Sequence, residues 1–497
     1  MRSLLSALLA LLLLPLALAL SSTGPRVLVV LDEPAHEARY SRFFGALRSD
    51  LGLELAVRGA RDDKPRLTEF GQRSFDHLLL LAPAAKALSA DLSPQELVSF
   101  LKNGGNVLFG LAPSFAESYR DLAREFALEV EPRSSLVVDH FRALAGSSDG
   151  ASNDSSILLG PAAQNGGLVR SAQVFSAEAL QAAQQHPLLF SGVAHRVGPN
   201  PMAFPLIRAA SSSYSKTGLR AEGDEPPAAP LTGADADAAL VSGFQLKDNS
   251  ARAIWSGSVD LFADESLQEQ KRRTRDGESY TSTANLPVSL ALVSWLTQSH
   301  GVLRVAQTSH ERVRAGPHDE RPDYEEWVDE AGGAVQRMYR VKDHVTFNLD
   351  LSLHDPVKGW VPAPRDLDLQ VSLVMIDPFI TAPLVAIDPA ASSSSGALAE
   401  AERSSAAHTR YSSTFQVPDR HGVYTFRVEW ARHGWSYIST RDVAPVRPFN
   451  HDEHPRGLSA AWPYVGGAFS TMLSFAVFVV LWTLTTEKSR PRAGKEE

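Results

Sequence analysis

From Arg26 onward the chain opens on a continuous apolar run, RVLVVL at 26–31, as expected of a strand buried on both faces. Within Pro34–Leu47, Tyr40, Phe43, Phe44 and Leu47 then recur at helical spacing. LELAVRG (53–59), FDHLLLLAP (75–83) and NVLFGLAP (106–113) predict further strands. Between the last two, Ser93-Pro94-Gln95-Glu96 sets a capping serine before a first-turn proline, and Asn103-Gly104-Gly105 closes the helix that follows. ARAIWSGSVDLF (251–262) and an amphipathic Leu286–Leu296 supply the last units. Strand and helix alternating in this way predict an α/β domain over residues 24–304 around a mainly parallel sheet.

Near Val305 the pattern becomes a strict exchange of polar and apolar positions. YRVKDHVTFNLDLSLHD (339–355), DLDLQVSLVMID (366–377), HGVYTFRVEW (421–430) and WSYISTRDVAPVRP (435–448) all show it. An antiparallel β-sandwich over residues 305–448 is the architecture this predicts. Ala431-Arg432-His433-Gly434 reads as the hairpin turn between the last two strands. Gly146–Ser156 and the serine run of Ala391–Ala407 read as flexible excursions, and Ala221–Ala239 is rich in proline, alanine and acid.

The two ends set the topology. Gly457–Thr486 carries no charge, and its core Tyr464–Leu484 is long enough for a membrane span, since about 20 apolar residues cross roughly 30 Å of hydrocarbon. Trp462, Tyr464 and Trp482 stand where interfacial aromatic anchors belong, so a transmembrane region is expected over 458–486. At the other end, Met1-Arg2, the apolar Leu4–Leu20 interrupted by Pro15, and Ala17-Leu18-Ala19 describe a signal peptide over residues 1–20. The tail 487–497 holds Lys488, Arg490, Arg492 and Lys495, whereas the stretch just before the span has only Arg456. The positive-inside bias puts that tail in the cytosol and the bulk of the chain across the membrane, a type I arrangement.

Composition narrows the partners. A net charge of −9 and a pI near 5.9 leave no electrostatic footprint for nucleic acid. The absence of cysteine excludes disulfides, thiolate metal sites and a cysteine nucleophile. The translocated part is therefore held by apolar burial, for which residues 24–448 in two domains suffice.

No catalytic constellation emerges. Gly146-Ser147-Ser148-Asp149-Gly150 matches a nucleophile-elbow string but lies in a polar loop rather than between strand and helix. Asn103-Gly104-Gly105-Asn106 precedes a strand and reads as a helix C-cap, not a phosphate cradle. Asp235-Ala236-Asp237 and Asp366-Leu367-Asp368 read as solvated pairs, and His451-Asp452-Glu453-His454 as a polar juxtamembrane linker. Three sets of candidates remain. Parallel sheets bind ligands at the carboxyl ends of their strands, which points to a rim of Asp32, Glu33, Ser256, Ser258 and Asp260 for a partner or a glycan. Asn153, in Asn153-Asp154-Ser155, is a glycosylation acceptor sequence. Gly466, Ser470 and Ser474 recur every fourth residue, with Gly467 and Thr471 beside them and Phe469, Met472, Phe475 and Phe478 opposite, which predicts a small face for helix packing in the membrane.

Five separated segments carry a resemblance: FLKNGGNVLFG (100–110), LVSGFQLKDNSARAIWSGSVDLFAD (240–264), VSLVMIDPF (371–379), HGVYTFRVEWARHGW (421–435) and VRPFNHDEHPRGLSAAWPYVGGAFSTM (446–472). In order and topology they resemble the forty-eight-kilodalton, single-span subunit family of the endoplasmic reticulum oligosaccharyltransferase. The resemblance implies a non-catalytic role in protein N-glycosylation, beside a separate multi-span catalytic subunit and ribophorin-type and small multi-span subunits. It implies no cofactor and no metal. It also implies an amidotransferase-like α/β fold, whose enzymes use a cysteine that this chain lacks. Lys495 stands where the family's lysine-based retrieval signal has its lysine, but Gly494 and Ala493 replace the second one. Two other classes stay open at this point: a cell-surface adhesion or glycan-binding receptor, and a lumenal hydrolase or glycosyltransferase.

Overall fold

The computed structural model describes residues 21–86, 88–144, 155–159, 167–169, 171, 173–217, 231–235, 238–274, 277, 279–314, 321, 325–327, 336–387, 408–454 and 457–485. The expected signal peptide, Asn153 with most of Gly146–Ser156, Ala391–Ala407 and the tail 487–497 fall outside those residues.

The N-terminal domain is a mixed α/β layer structure. Its sheet contains β1 (Arg26–Leu31), β2 (Glu54–Gly59), β3 (His77–Leu81), β4 (Asn106–Gly110), β5 (Ala203–Arg208), β6 (Ala238–Gln245) and β7 (Arg252–Ser256). The spatial order is β2-β1-β3-β4-β7-β6-β5. The first five in that order run parallel; β6 is antiparallel to β7 and β5 is antiparallel to β6, so of these seven strands β6 alone is reversed. The sheet is thus less parallel than the alternating pattern predicts. β6 and β7 are joined by the short turn 246–251 and pair as a hairpin, and the described residues before β5 include the short antiparallel strands Leu128–Val130 and His195–Val197.

The apolar run of β1 feeds both faces. Val27, Val29 and Leu31 pack with Phe43, Phe44 and Leu47 of α1 (Ser41–Ser49). Leu28 and Val30 pack on the other face with Leu97, Phe100 and Leu101 of α2 (Pro94–Lys102) and Tyr119 and Leu122 of α3 (Glu117–Glu125). Period-two alternation within an all-apolar strand therefore builds two cores at once. The predicted cap of α2 forms, the Ser93 hydroxyl accepting from the Glu96 amide at 3.4 Å. The helix expected over Pro34–Leu47 divides into a 3-10 turn, Pro34–Tyr40, and α1.

The helix expected to be amphipathic is not. α5 (Asn285–Leu296) buries Val288, Ala291, Leu292, Val293, Trp295 and Leu296, and its remaining face carries the half-buried Leu286 and Leu290 rather than polar residues. One side meets the sheet, α4 (Ala177–Gln185) covers another, and Trp295 reaches the second domain.

That domain is β-rich: β8 (Leu303–Arg312), β9 (Gln336–Arg340), β10 (His344–Asp355), β11 (Leu369–Val374), β12 (Pro378–Ile387), β13 (Thr409–Gln416), β14 (Gly422–Trp430) and β15 (Ile438–Arg447). The order β8-β10-β13-β12-β11-β14-β15-β9 forms one continuous sheet, antiparallel except where β9 joins β15 in parallel. The sheet folds over itself around a single core. Phe347 on β10 lies 5.2 Å, ring to ring, from Phe426 on β14, although those strands stand four steps apart in the order. Finally, α6 (Trp462–Leu484) spans 23 residues, about 35 Å at helical rise, and lies free of the rest. Among the described residues one helix is long and apolar enough to cross a membrane.

Candidate functional site

Three places bear on function: the carboxyl-end rim of the first sheet, the junction between the domains, and the small face of α6. At the rim, β7 ends in a turn sealed by its own backbone. Gly257 donates to Leu240 and accepts from Val193, while Leu111 donates to the Ser256 carbonyl. A Cβ on Gly257 would sit 1.9 Å from the Val193 carbonyl oxygen, so only glycine fits. The Ser256 hydroxyl donates to the Ser258 carbonyl at 2.8 Å, and the Ser258 hydroxyl donates to the Ser191 carbonyl. Both serines are at most 1% exposed. A ligand cannot reach Ser256 or Ser258 without displacing residues 191–193. Their hydroxyls hold a turn, which corrects the expectation that they line an open rim.

The acids of that rim stay closer to the surface. Burial pushes the Asp32 carboxyl above the usual carboxylate range, against the pull of the Ala85 and Ala84 amides. Asp260 is raised for the same reason, opposed by Arg39, whose Nη2 donates to Asp260 Oδ1 at 2.7 Å. Burial holds the Tyr40 hydroxyl up to about 12, and both acids add to the shift, so Asp32 and Asp260 flank one buried phenol. Glu33 is exposed. Asp264 tethers the same corner, accepting from the Ser41 hydroxyl at 2.6 Å and the Arg42 amide at 3.0 Å. The structure therefore assembles an acidic corner closed by Arg39, not a serine-lined crevice.

The junction was not legible as a site. The turn at 431–434 does join β14 to β15, but its tip docks into the first domain. Trp295 Nε1 donates to the Gly434 carbonyl at 3.0 Å, Gln245 Nε2 to the Trp435 carbonyl at 2.8 Å, and the Tyr437 amide to Ser250 Oγ at 3.1 Å. His433 stacks on Phe204 at 4.6 Å. Gly434 has φ +88, and Gly301, with φ +66, leaves no room for a Cβ, which would lie 2.2 Å from the Gly434 carbonyl. Two facing glycines let the backbones approach.

Beneath them Arg252 is wholly buried. Its guanidinium donates to the carbonyls of Trp295 and His300 at 2.7 Å each and of Gly301 at 2.8 Å, and lies 4.8 Å from the Trp295 ring. Burial lowers its pKa to about 9, which leaves it charged at neutral pH. The C-terminal end of α5 presents orphan carbonyls and partial negative charge, and that is what accommodates the cation. The sequence signal is one arginine heading the apolar run AIWS (253–256).

The remaining candidates are placed plainly. Asp366 and Asp368 are exposed, and Asp368 lines a polar cleft of about 370 Å³ with Gln370, Glu429, Trp430 and Arg432. Glu453, expected in a loose linker, is instead clamped: Arg447 binds both of its oxygens, at 2.6 and 2.9 Å, and Arg340 lies 3.6 Å away. Those cations hold its carboxyl down to about 2. Among the described residues no group of three or more metal-capable side chains gathers. Gly466, Ser470 and Ser474 are exposed on α6, and the Ser470 hydroxyl donates to the Gly467 carbonyl at 2.9 Å. An internal bond of this kind leaves no hydroxyl proton unpaired in hydrocarbon.

Comparison with known proteins bears on both domains. A family model described as OST48, N-terminal domain, matches residues 18–299, and one described as OST48 middle domain matches residues 326–486. The dolichyl-diphosphooligosaccharide–protein glycosyltransferase subunit wbp1 of Schizosaccharomyces pombe is 30% identical over 446 residues, 90% of this chain and 89% of its own. The 48 kDa subunit of the same enzyme from Arabidopsis thaliana is 29% identical over 92% of each chain. The subunit from Danio rerio is 27% identical over 94% of this chain and 93% of its own.

Proposed function

The chain belongs to the OST48 family, and from that membership we propose that it is a non-catalytic subunit of oligosaccharyltransferase. It supports assembly of the complex and en bloc transfer of oligosaccharide from dolichol diphosphate to asparagine in Asn-X-Ser/Thr. The observation that carries this reading is the length of the match. Relatives named as subunits of that glycosyltransferase align along 90 to 94% of the chain.

The finer readings rest on this one. Transfer chemistry belongs to a separate multi-span subunit, and ribophorin-type and small multi-span subunits complete the set of partners. The protein sits in the endoplasmic reticulum membrane as a type I chain, with residues 24–448 lumenal and 487–497 cytosolic. With Gly494 and Ala493 in place of a second lysine, its retention depends on assembly. The five parallel strands support an amidotransferase-like fold for the first domain, and the shared core of the folded-over sheet supports a sandwich for the second. The acidic corner of Asp32, Glu33 and Asp260 contacts a partner subunit or glycan, Asn153 is an acceptor for modification, and the face of Gly466, Ser470 and Ser474 meets another subunit's helix.

Purification of the tagged chain from mild detergent, followed by identification of what accompanies it, tests the proposal. Oligosaccharyltransferase subunits are expected, together with underglycosylation of reporter proteins when the chain is depleted. Transfer activity in the chain purified alone would overturn the non-catalytic assignment. Depletion without loss of glycosylation would overturn the role itself.

A further inference from the structure

The clamp on Glu453 fixes how far the β-rich domain can stand from the bilayer. Glu453 is tied to Arg447 and Arg340 at one end of the sheet, and the apolar helical segment begins at Ser459. Six residue steps reach at most about 20 Å even when fully extended. The end of the sheet where β15 finishes is therefore held near the membrane, given that α6 spans it.

That same end carries an uncovered apolar tip. Gly422 pairs with Val446, and a Cβ on Gly422 would lie 2.7 Å from Met375 Sδ, which puts the turn after β11 beside the start of β14. Two strand spacings, about 10 Å, separate that turn from β15. Ile376 at the turn is 86% exposed, Val423 beside it 60% and Phe379 39%. Arg420 lies over the Phe379 ring at 5.9 Å, its stem along the apolar surface. Lys342 and Arg420 add positive charge here and Asp377 and Asp419 add negative, all four exposed. The charges balance, so apolar contact dominates.

We propose that the tip formed by Ile376, Phe379 and Val423 rests in the interfacial zone of the bilayer, a second membrane contact beside the span. Large apolar side chains with an arginine that can snorkel are the composition that zone accepts. Balanced charge means that the contact forms on phosphatidylcholine and needs no anionic lipid.

The chain has no cysteine, so single cysteines report single positions. Ile376→Cys, Phe475→Cys within α6, and Val357→Cys are each labelled with an environment-sensitive fluorophore. Val357 is 82% exposed in the turn after β10, a strand of 12 residues that carries it about 40 Å from the tip. The full chain, within its copurified complex, is placed in phosphatidylcholine nanodiscs with and without doxyl-labelled lipid, and the signal of the identically labelled complex carrying the cysteine-free parent chain is subtracted. Labels at 376 and 475 should be quenched several-fold more than the label at 357. Quenching at 475 while 376 behaves like 357 overturns the inference and leaves the span intact. A label at 376 that is immobile yet shielded from lipid assigns the tip to a protein partner and overturns it as well. An unquenched 475 removes the span, and the proposal falls with it.

Discussion

Replacing Arg252 with methionine tests whether the domain junction is held from beneath. Methionine nearly matches the volume of the side chain but cannot donate, so the carbonyls of Trp295, His300 and Gly301 lose their shared partner. A buried acceptor left without a donor costs about 1–3 kcal/mol. Removing a desolvated cation returns part of that, and three orphaned carbonyls together leave a net loss of about 3 kcal/mol. At roughly 2 °C per kcal/mol for a large domain, the melting temperature should fall by at least about 6 °C. Arg252→Lys should fall between the two, because an ammonium keeps the charge but donates from a single nitrogen, whereas the guanidinium reaches the three carbonyls from two. Thermal unfolding of the full chain in detergent, read alongside limited proteolysis of the 297–302 segment, makes the measurement. An Arg252→Met protein that melts within about 2 °C of the parent, with that segment still protected, would refute the argument.

Other outcomes follow from the same contacts. Gly301→Ala should cost about 2 kcal/mol or more, since φ is +66 and the new Cβ meets the Gly434 carbonyl; a melting temperature equal to the parent's would show that the glycines are incidental. Burial lowers His77, His195 and His310 to about 4 from 6.5, so between those values the unfolded chain binds more protons. Stability should be whole above pH 6.5 and fall as pH drops toward 4, by up to about 1.4 kcal/mol per pH unit for each histidine; an unfolding temperature flat from neutral pH to pH 5 would contradict this. Gly466→Leu with Ser470→Leu keeps α6 apolar and insertable but prevents close approach of another helix. Lower yield of copurifying subunits is expected, and an unchanged yield would reduce α6 to an anchor.

Features that depend on local pattern are legible in the chain alone. The run at 26–31 announces a strand buried on both faces, because after Arg26 no polar residue interrupts either side of the pleat. Ser93-Pro94 started α2, since capping is a matter of neighbours. The alternation after Val305 announced strands, and the uncharged stretch before Glu487 announced a helix that can cross a membrane. Tertiary structure decided the rest. The buried serines after β7 read as a rim until residues 191–193, some sixty residues earlier in the chain, closed over them. α5 reads as amphipathic in the chain, yet both of its serines, Ser289 and Ser294, are buried in the assembled fold. Arg252 is one charge at the head of an apolar strand, and only packing brings the end of α5 and the tip of the β14–β15 turn around it. Contacts between residues 139 or more positions apart, such as Trp295 with Gly434, leave no periodicity in the chain. Each partner's local pattern is satisfied without the other, so only the assembled fold reveals the pair.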